Sequence, residues 1–314
     1  MKLNLLSGIV KNSNHMPILS CVKLVSRDGR CEVTGTNLST TIVLDFEFPG
    51  DDFELVTPLD VLNRALSSYN NIIFTSSGKC RSGTSSFKLK TFPIDDYPVT
   101  VPVNCSFQSV SFKRASILSK CLPSKPDVRQ YMNGVRFCNG NLYATDGYRI
   151  GRCASKIEHD SDVVVSSEVF NLISKWDGEI GFSKDRVFYK FGNALVVGQL
   201  IDSKAPDYDR LFVKHENTIR IDKLLLSDAL SKSSIFDAFV LIKQSDDKKT
   251  VEVSTNESIN VVDVISSEGN AFMSKFNISY LNGILGDVIY YKDSDSAILI
   301  EHSDMSFVVM PVRI

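Results

Sequence analysis

The chain has 314 residues, with 35 basic and 37 acidic side chains and a net charge of −2. Such a length exceeds one ordinary core and implies two or three domains of about 100 to 150 residues, while the balanced charge excludes a globally basic nucleic-acid coat, so any polyanion-binding surface is local. Seven cysteines, an odd count with no C-x-x-C pair, indicate neither a disulfide framework nor a zinc ribbon and point to a reducing, cytoplasmic compartment. No run approaches the length of a membrane span.

The first element is the apolar run KLNLLSGIV, read as a short helix. Strands follow in CVKLVS, EVTGT and TTIVLDFEF, then a helix over 58–69, PLDVLNRALSSY, and strands in NIIFTS and FKLKTF. A second stretch opens with a helix over 112–122, continues through NLYATDGYRIGR and VVVSS, places a helix over 166–176, and ends in RVFYKF and ALVVGQLI. A third repeats the order: a helix over 222–233, VEVST and NVVDVI, a helix over 277–287, then AILIEH and SFVVMPVRI. Turns fall at RDG, SSGK, NGN and KFGN.

This order repeats at one period. Strands run into a Thr-Asn or Thr-Asp turn at Thr36, Thr145 and Thr255, separated by 109 and 110 residues. The chain therefore reads as three β-rich units with helices, 1–103, 104–214 and 215–314. Basic minus acidic residues is 0, +4 and −6 in the three units, and the six expected helices carry nine basic against five acidic side chains. Net positive helices beside net negative sheets suit helices that face a polyanion, although Lys and Arg are also simply good helix formers.

Catalytic patterns are missing from the sequence. The four histidines (15, 159, 215, 302) have no metal-ligand spacing. SSGKCRSG lacks the P-loop spacing and a following helix and reads as a solvated hairpin tip whose Lys79 and Arg81 can brush a phosphate backbone. No G-x-S-x-G elbow or dinucleotide fingerprint occurs. Asp51-Asp52, Asp95-Asp96 and Asp246-Asp247 sit in polar turns, and Trp176, Tyr189 and Phe191 fit core or strand positions better than base-stacking ones.

Four stretches together resemble the β sliding clamp family of bacterial DNA polymerase III. They are HMPILSCVKLVSRDGRCEVTGTNLSTTI (15–42), DVRQYMNGVRF with YATDGYRIG (127–151), GQLIDSKAPDYDRL (198–211) and the terminal VVMPVRI (308–314). They occur in the family's order and span nearly the whole chain. The resemblance implies an α+β DNA clamp fold: three similar domains with outer β-sheets and inner α-helices, two chains closing head to tail into a ring around duplex DNA. It implies no cofactor, no metal, no membrane and no catalysis, a place at the replisome, and partners that are duplex DNA, a DNA polymerase and clamp-loader subunits carrying short linear peptides.

Carried onto this chain, the resemblance implies a peptide pocket of Met132, Thr145, Gly147, Tyr148, Arg149, Ile150, Pro206, Arg210, Leu211, Val308, Met310, Pro311, Val312 and Arg313. The set combines apolar surface for Leu and Phe anchors with Arg and Gly backbone for an extended segment. Tyr148 stands where His is usual, Leu211 where Val is frequent, Val312 where Met is usual and Ile314 where Leu is usual. DNA-facing candidates are Lys11, Arg64, Lys79, Arg81, Lys113, Arg114, Lys120, Lys175, Lys223 and Lys232, with Lys113, Arg114 and Lys120 foremost. At the dimer seam the resemblance puts Leu230 and Ser231, where losing one large apolar side chain costs roughly 2 to 4 kcal/mol, against the partner's edge near 91–101. The chain is shorter than is usual for the family, as in a phage or plasmid variant. The rival reading is a DNA-binding or peptide-binding scaffold that does not close into a ring.

Overall fold

Three α-helices among the described residues begin where a side chain accepts from the unpaired first N–H groups. In the computed structural model, which describes residues 3–12, 15–98, 102–155, 157, 162–302 and 304–313, helix α1 (Leu59–Ser68) starts after Pro58, carries Asp60 in its first turn and buries Leu59, Leu62 and Ala65. Helix α2 (Ser167–Ile173) is capped by the Ser166 hydroxyl, which accepts from the Val169 N–H. In α3 (Lys223–Ser233) the Asp222 carboxylate accepts from the N–H groups of Leu224 and Leu225, and in α4 (Ile278–Leu281) the Asn277 side chain accepts from that of Ser279.

Three expected helices come out differently. Residues 112–122 form a 3₁₀ helix over Ala115–Cys121 with no side-chain cap, and its end is set by Leu122, extended at ψ 149 because Pro123 follows it. The helix expected over 277–287 stops after one turn, with Gly283 at φ +74, a left-handed conformation that breaks the ladder. The N-terminal run makes only a short 3₁₀ turn, Leu6–Gly8. Lys2, residues 99–101, His159 and Ile314 lie outside the described residues.

The chain divides into two compact units, Met1–Ser111 with Lys175–Leu200, and Phe112–Ser174 with Ile201–Ile314. The first holds an antiparallel sheet in the order Phe53–Pro58, Cys21–Arg27, Arg30–Thr36, Thr40–Glu47, Ala194–Ile201, Arg186–Phe191, Asp177–Phe182, Gln108–Ser111. Leu24, Val33, Ile42, Val56, Leu62, Phe188 and Val196 are buried in this unit. A separate hairpin pairs Lys79–Ser82 with Ser85–Lys88.

The second unit's sheet runs Val163–Ser166, Gly134–Cys138, Asn141–Thr145, Arg149–Ala154, Met305–Val309, Ile298–His302, Val288–Tyr291, Asn217–Ile221, Ile259–Glu268. The long strand Ile259–Glu268 also pairs with Thr250–Ser254, which leads on to Phe239–Gln244 and Met273–Asn277. Val135, Phe170, Ile219, Val240, Phe276 and Phe307 fill the interior.

The three recurring turns share one hydrogen-bond design, offset by a residue in the third. The N–H of Thr40 donates to the Asn37 side chain (2.7 Å) and that of Arg149 to the Asp146 carboxylate (3.0 Å). In the third turn the Ser258 N–H donates to the Thr255 hydroxyl (3.0 Å). Thr255 thus takes the place of Asn37 and Asp146 rather than of Thr36 and Thr145, so that Thr40, Arg149 and Ser258 are equivalent positions.

Each unit contains a seam between two such repeats. The strand after the first turn pairs with Ala194–Ile201, from Ala194↔Leu44 to Gly198↔Thr40. The strand after the second pairs with Met305–Val309, from Met305↔Cys153 to Val309↔Arg149. The register is identical once the turns are matched.

Candidate functional site

Four segments far apart in sequence meet in the second unit, and strand pairing explains why. The ladder sets Ile150 opposite Val308, and beyond its end the Met310 N–H donates to the Tyr148 carbonyl (2.9 Å). Ile150 and Val308 are buried with Tyr143, Ala205, Tyr208 and Leu299 in one apolar cluster, against which Tyr131, Phe212 and Tyr290 pack. The loop carrying Pro206, Arg210 and Leu211 therefore lies beside the strands carrying Tyr148 and Met310.

The loop is clamped by a residue that sequence reasoning passed over. Arg136, almost buried on strand Gly134–Cys138, donates Nε and Nη2 to the two oxygens of Asp162 (2.7 and 2.6 Å) and Nη1 to the Pro206 carbonyl (2.6 Å). Its guanidinium lies over the Tyr208 ring at 5.2 Å. Nearby, the Tyr143 hydroxyl donates to the Asp209 carboxylate (2.8 Å), which also receives Arg152 Nη1 (3.3 Å). Burial first, then the bond to Asp209, pushes the Tyr143 hydroxyl well above the usual phenolic range.

The opening stretch of this wall is an Asx-type turn. The Thr145 hydroxyl donates to the Arg149 carbonyl and receives the Gly147 N–H, while Asp146 accepts from the N–H groups of Tyr148 and Arg149. Gly147 sits at φ +89, where a side chain would lie 3.3 Å from both Arg129 Nη2 and Met132 Cε. Arg149 braces rather than waits: its Nε donates to Asp146 (3.1 Å) and its Nη1 to the carbonyls of Ser279 and Tyr280 (2.8 and 3.1 Å). Tyr148 stacks on Tyr280, centroids 5.3 Å apart and planes at 11°, beside a recess of about 330 Å³ bordered by Leu122, Lys125 and Asp146.

Of the expected pocket residues, Met132, Ile150 and Val308 are buried. Thr145, Arg149, Pro311 and Val312 are half-buried, Gly147, Pro206, Arg210 and Arg313 are exposed, and the large exposed apolar groups are Tyr148 (59 %), Leu211 (47 %) and Met310 (47 %). The Val312 N–H donates to the Lys275 carbonyl (2.7 Å), pinning the tail. The structure adds Arg129, Arg136, Tyr208 and Tyr280. Arg136 and Tyr208 stood inside the motif stretches NGVRF and PDYDRL, whereas nothing in the sequence tied Tyr280 to Tyr148.

The expected DNA-facing residues are scattered over both units. In the first, Lys11, Lys79, Arg81 and Lys175 are exposed, and Arg64 on α1 pairs with Asp60 one turn away (3.0 Å). In the second, Lys113 and Lys120 are exposed and Lys223 half-buried. Arg114 pairs with Asp304 (3.2 Å) and Lys232 with Asp228 (2.7 Å). At the expected seam Leu230 is only 2 % exposed, so its apolar surface already belongs to its own core and is not available to a partner. Ser231 is exposed and bonds back to the Ser227 carbonyl. Among the described residues no group of three or more His, Cys, Asp or Glu is arranged to hold a metal, and no helix is long and apolar enough to cross a membrane.

An antiparallel α+β chain whose successive repeats are stitched through the strand after each turn has the DNA clamp fold. The β sliding clamp of Pseudomonas aeruginosa is 25 % identical over 354 aligned positions, covering 99 % of this chain and 96 % of that protein, and that of Escherichia coli is 25 % identical over 350, covering 98 % and 95 %. The crystal structure of the P. aeruginosa DNA polymerase III subunit beta superposes with a TM-score of 0.86 at 25 % identity over 99 % of this chain and 96 % of that one. A P. aeruginosa clamp bound to griselimycin gives 0.85 at 25 % identity, with the same coverage. The DNA polymerase sliding clamp of Bacillus subtilis, at 18 % identity and a TM-score of 0.87 over 99 % and 96 %, shares the fold. No protein-family model matches. By sequence along its length and by fold, the chain is similar to the β subunit sliding clamps of bacterial DNA polymerase III.

Proposed function

We propose that the chain is a DNA sliding clamp, a processivity factor that encircles duplex DNA as a head-to-tail pair of copies and tethers a replicative polymerase. The single observation that carries the reading is that the loop of Ala205 and Tyr208 shares one buried apolar cluster with Ile150 and Val308, beside the contact of Met310 with Tyr148, and leaves Tyr148, Leu211 and Met310 exposed, in a chain similar to the β clamps. Exposed apolar side chains over a braced, pre-formed base are what an extended peptide with Leu and Phe anchors needs. Polymerase and loader segments take turns in that groove.

Three similar units, 1–103, 104–214 and 215–314, supply six per ring. The grip on DNA is topological, so the lining, Lys113 and Lys120 foremost, needs only weak contacts with phosphate that do not arrest sliding. The task is mechanical and asks for no cofactor or catalytic group; the protein works in the cytoplasm, at the replisome.

The test is retention on nicked circular duplex DNA after loading, followed by linearisation. Release on linearisation is the expected result; equal retention on a linear duplex overturns the ring. For the groove, Tyr148→Ala is expected to weaken a Leu/Phe-anchored peptide about tenfold, the scale of a hot-spot aromatic, and unchanged affinity overturns the assignment.

A further inference from the structure

We propose that the Tyr208 hydroxyl is a specificity-determining donor of the peptide groove: unpaired within the fold, it donates to an amide carbonyl of the anchored segment. The proposal rests on the groove reading and adds the polar group by which the groove tells one apolar segment from another. Its source is a contrast among buried tyrosines. Among the described residues five are buried, Tyr97, Tyr143, Tyr189, Tyr208 and Tyr291. Tyr97 donates to the Thr34 carbonyl (2.9 Å), Tyr143 to Asp209 (2.8 Å), Tyr189 to the Trp176 carbonyl (2.8 Å) and Tyr291 to the Asn270 carbonyl. The Tyr208 hydroxyl, on a residue only 5 % exposed, has no partner among the described residues.

Buried polar groups are nearly all partnered, and an orphan costs its full desolvation. The acceptors around this one are engaged. The Pro206 carbonyl receives Arg136 Nη1 (2.6 Å), the two oxygens of Asp162 receive the same guanidinium (2.7 and 2.6 Å), and Asp209 receives Tyr143 and Arg152. The Tyr208 ring is held on both sides, with the Arg136 guanidinium over it at 5.2 Å and the Tyr143 ring at 5.7 Å. A donor fixed in place without an internal acceptor is preorganised for one that a ligand brings.

The location matches the groove. Tyr208 is buried in one apolar cluster with Ile150 and Val308, and Tyr131 packs against it. The titratable groups that act on its hydroxyl are Tyr131, Arg136, Asp162 and Arg129. Arg129 in turn borders Gly147, where an added side chain would lie 3.3 Å from its Nη2. Burial pushes the hydroxyl up to about 12, so at neutral pH it keeps its proton and can donate. Charge decides what it donates to. Arg129 is paired with Asp127 (3.0 Å) and Arg136 with Asp162 (2.6 Å), so this corner carries no unbalanced positive charge and suits a neutral carbonyl better than a carboxylate.

The experiment is a double-mutant cycle on the full chain, read by fluorescence anisotropy with a labelled Gln-Leu-Ala-Leu-Phe peptide. Tyr208→Phe removes one oxygen and keeps the ring, and it is expected to bind that peptide roughly five- to tenfold more weakly than the parent. Further peptides find the acceptor: Gln replaced by Met lacks the side-chain carbonyl, and alkene isosteres remove each main-chain carbonyl in turn. On the one peptide that lacks the acceptor, parent and Tyr208→Phe are expected to bind alike. Equal binding of the first peptide by both proteins, or the same loss on every peptide, which marks a packing effect, overturns the donor role and leaves the groove. A parent chain that binds none of the peptides overturns both.

Discussion

Replacing Arg136 with Met separates the clamp on the pocket loop from the pocket's own apolar surface. The Met side chain keeps contact with the Tyr208 ring but loses both bonds to Asp162 and the bond to the Pro206 carbonyl. Each hydrogen bond to a charged group contributes about 1.5 to 3 kcal/mol, and such bonds are not additive. Asp162 is 42 % exposed, so water takes up its oxygens and much of the loss is recovered, unlike the 3 to 5 kcal/mol of a fully buried broken pair. The net cost is about 2 to 3 kcal/mol of folding stability. The freed Pro206–Leu211 loop must also be reordered on binding, which weakens an anchored peptide roughly five- to tenfold. Urea unfolding and fluorescence-anisotropy titration with a labelled peptide measure the two quantities. A variant whose midpoint and affinity both match the parent refutes the claim that Arg136 holds the pocket wall.

Gly147→Ala places a side chain at φ +89 against Arg129 and Met132 and is expected to cost about 1 to 2 kcal/mol in thermal or urea unfolding. Lys113→Ala with Lys120→Ala is expected to lower the salt dependence of binding to short duplex DNA by a slope of about 2, one for each lost phosphate contact, with fold and peptide affinity unchanged. The Tyr208 hydroxyl is buried without a hydrogen-bond partner among the described residues, and burial pushes its pKa up to about 12. Its neutral form is favoured in the folded chain, so this contribution is present below the unfolded value of about 10 and is lost as pH rises from there toward 12. Tyr208→Phe should therefore change stability at neutral pH by less than about 0.5 kcal/mol while flattening the alkaline decline, as followed by circular dichroism.

Elements defined by short-range chemistry were legible in the sequence. Helix α3 begins at its Asp222 cap and α1 after Pro58 because capping and fixed φ act within a few residues. The turns around Asn37 and Asp146 follow from their own side chains bonding the backbone. The failures are equally local in origin: Pro123 and Gly283 outweighed an apolar periodicity that, taken alone, reads as helix.

By itself the sequence determined the strand-rich, antiparallel character of the chain and the places of its turns and capped helices, since alternation, caps and turn chemistry are properties of neighbours along the chain. Only the tertiary structure decided that the third turn is offset by one residue, that Leu230 belongs to its own core, that Arg149 is occupied with Ser279 and Tyr280, and that Arg136 clamps Pro206. The contacts of Arg149 and Arg136 depend on which carbonyls of distant segments come within hydrogen-bond reach. Strand register fixes that: a slip of one residue moves every side chain to the opposite face, and no pattern along the chain records it.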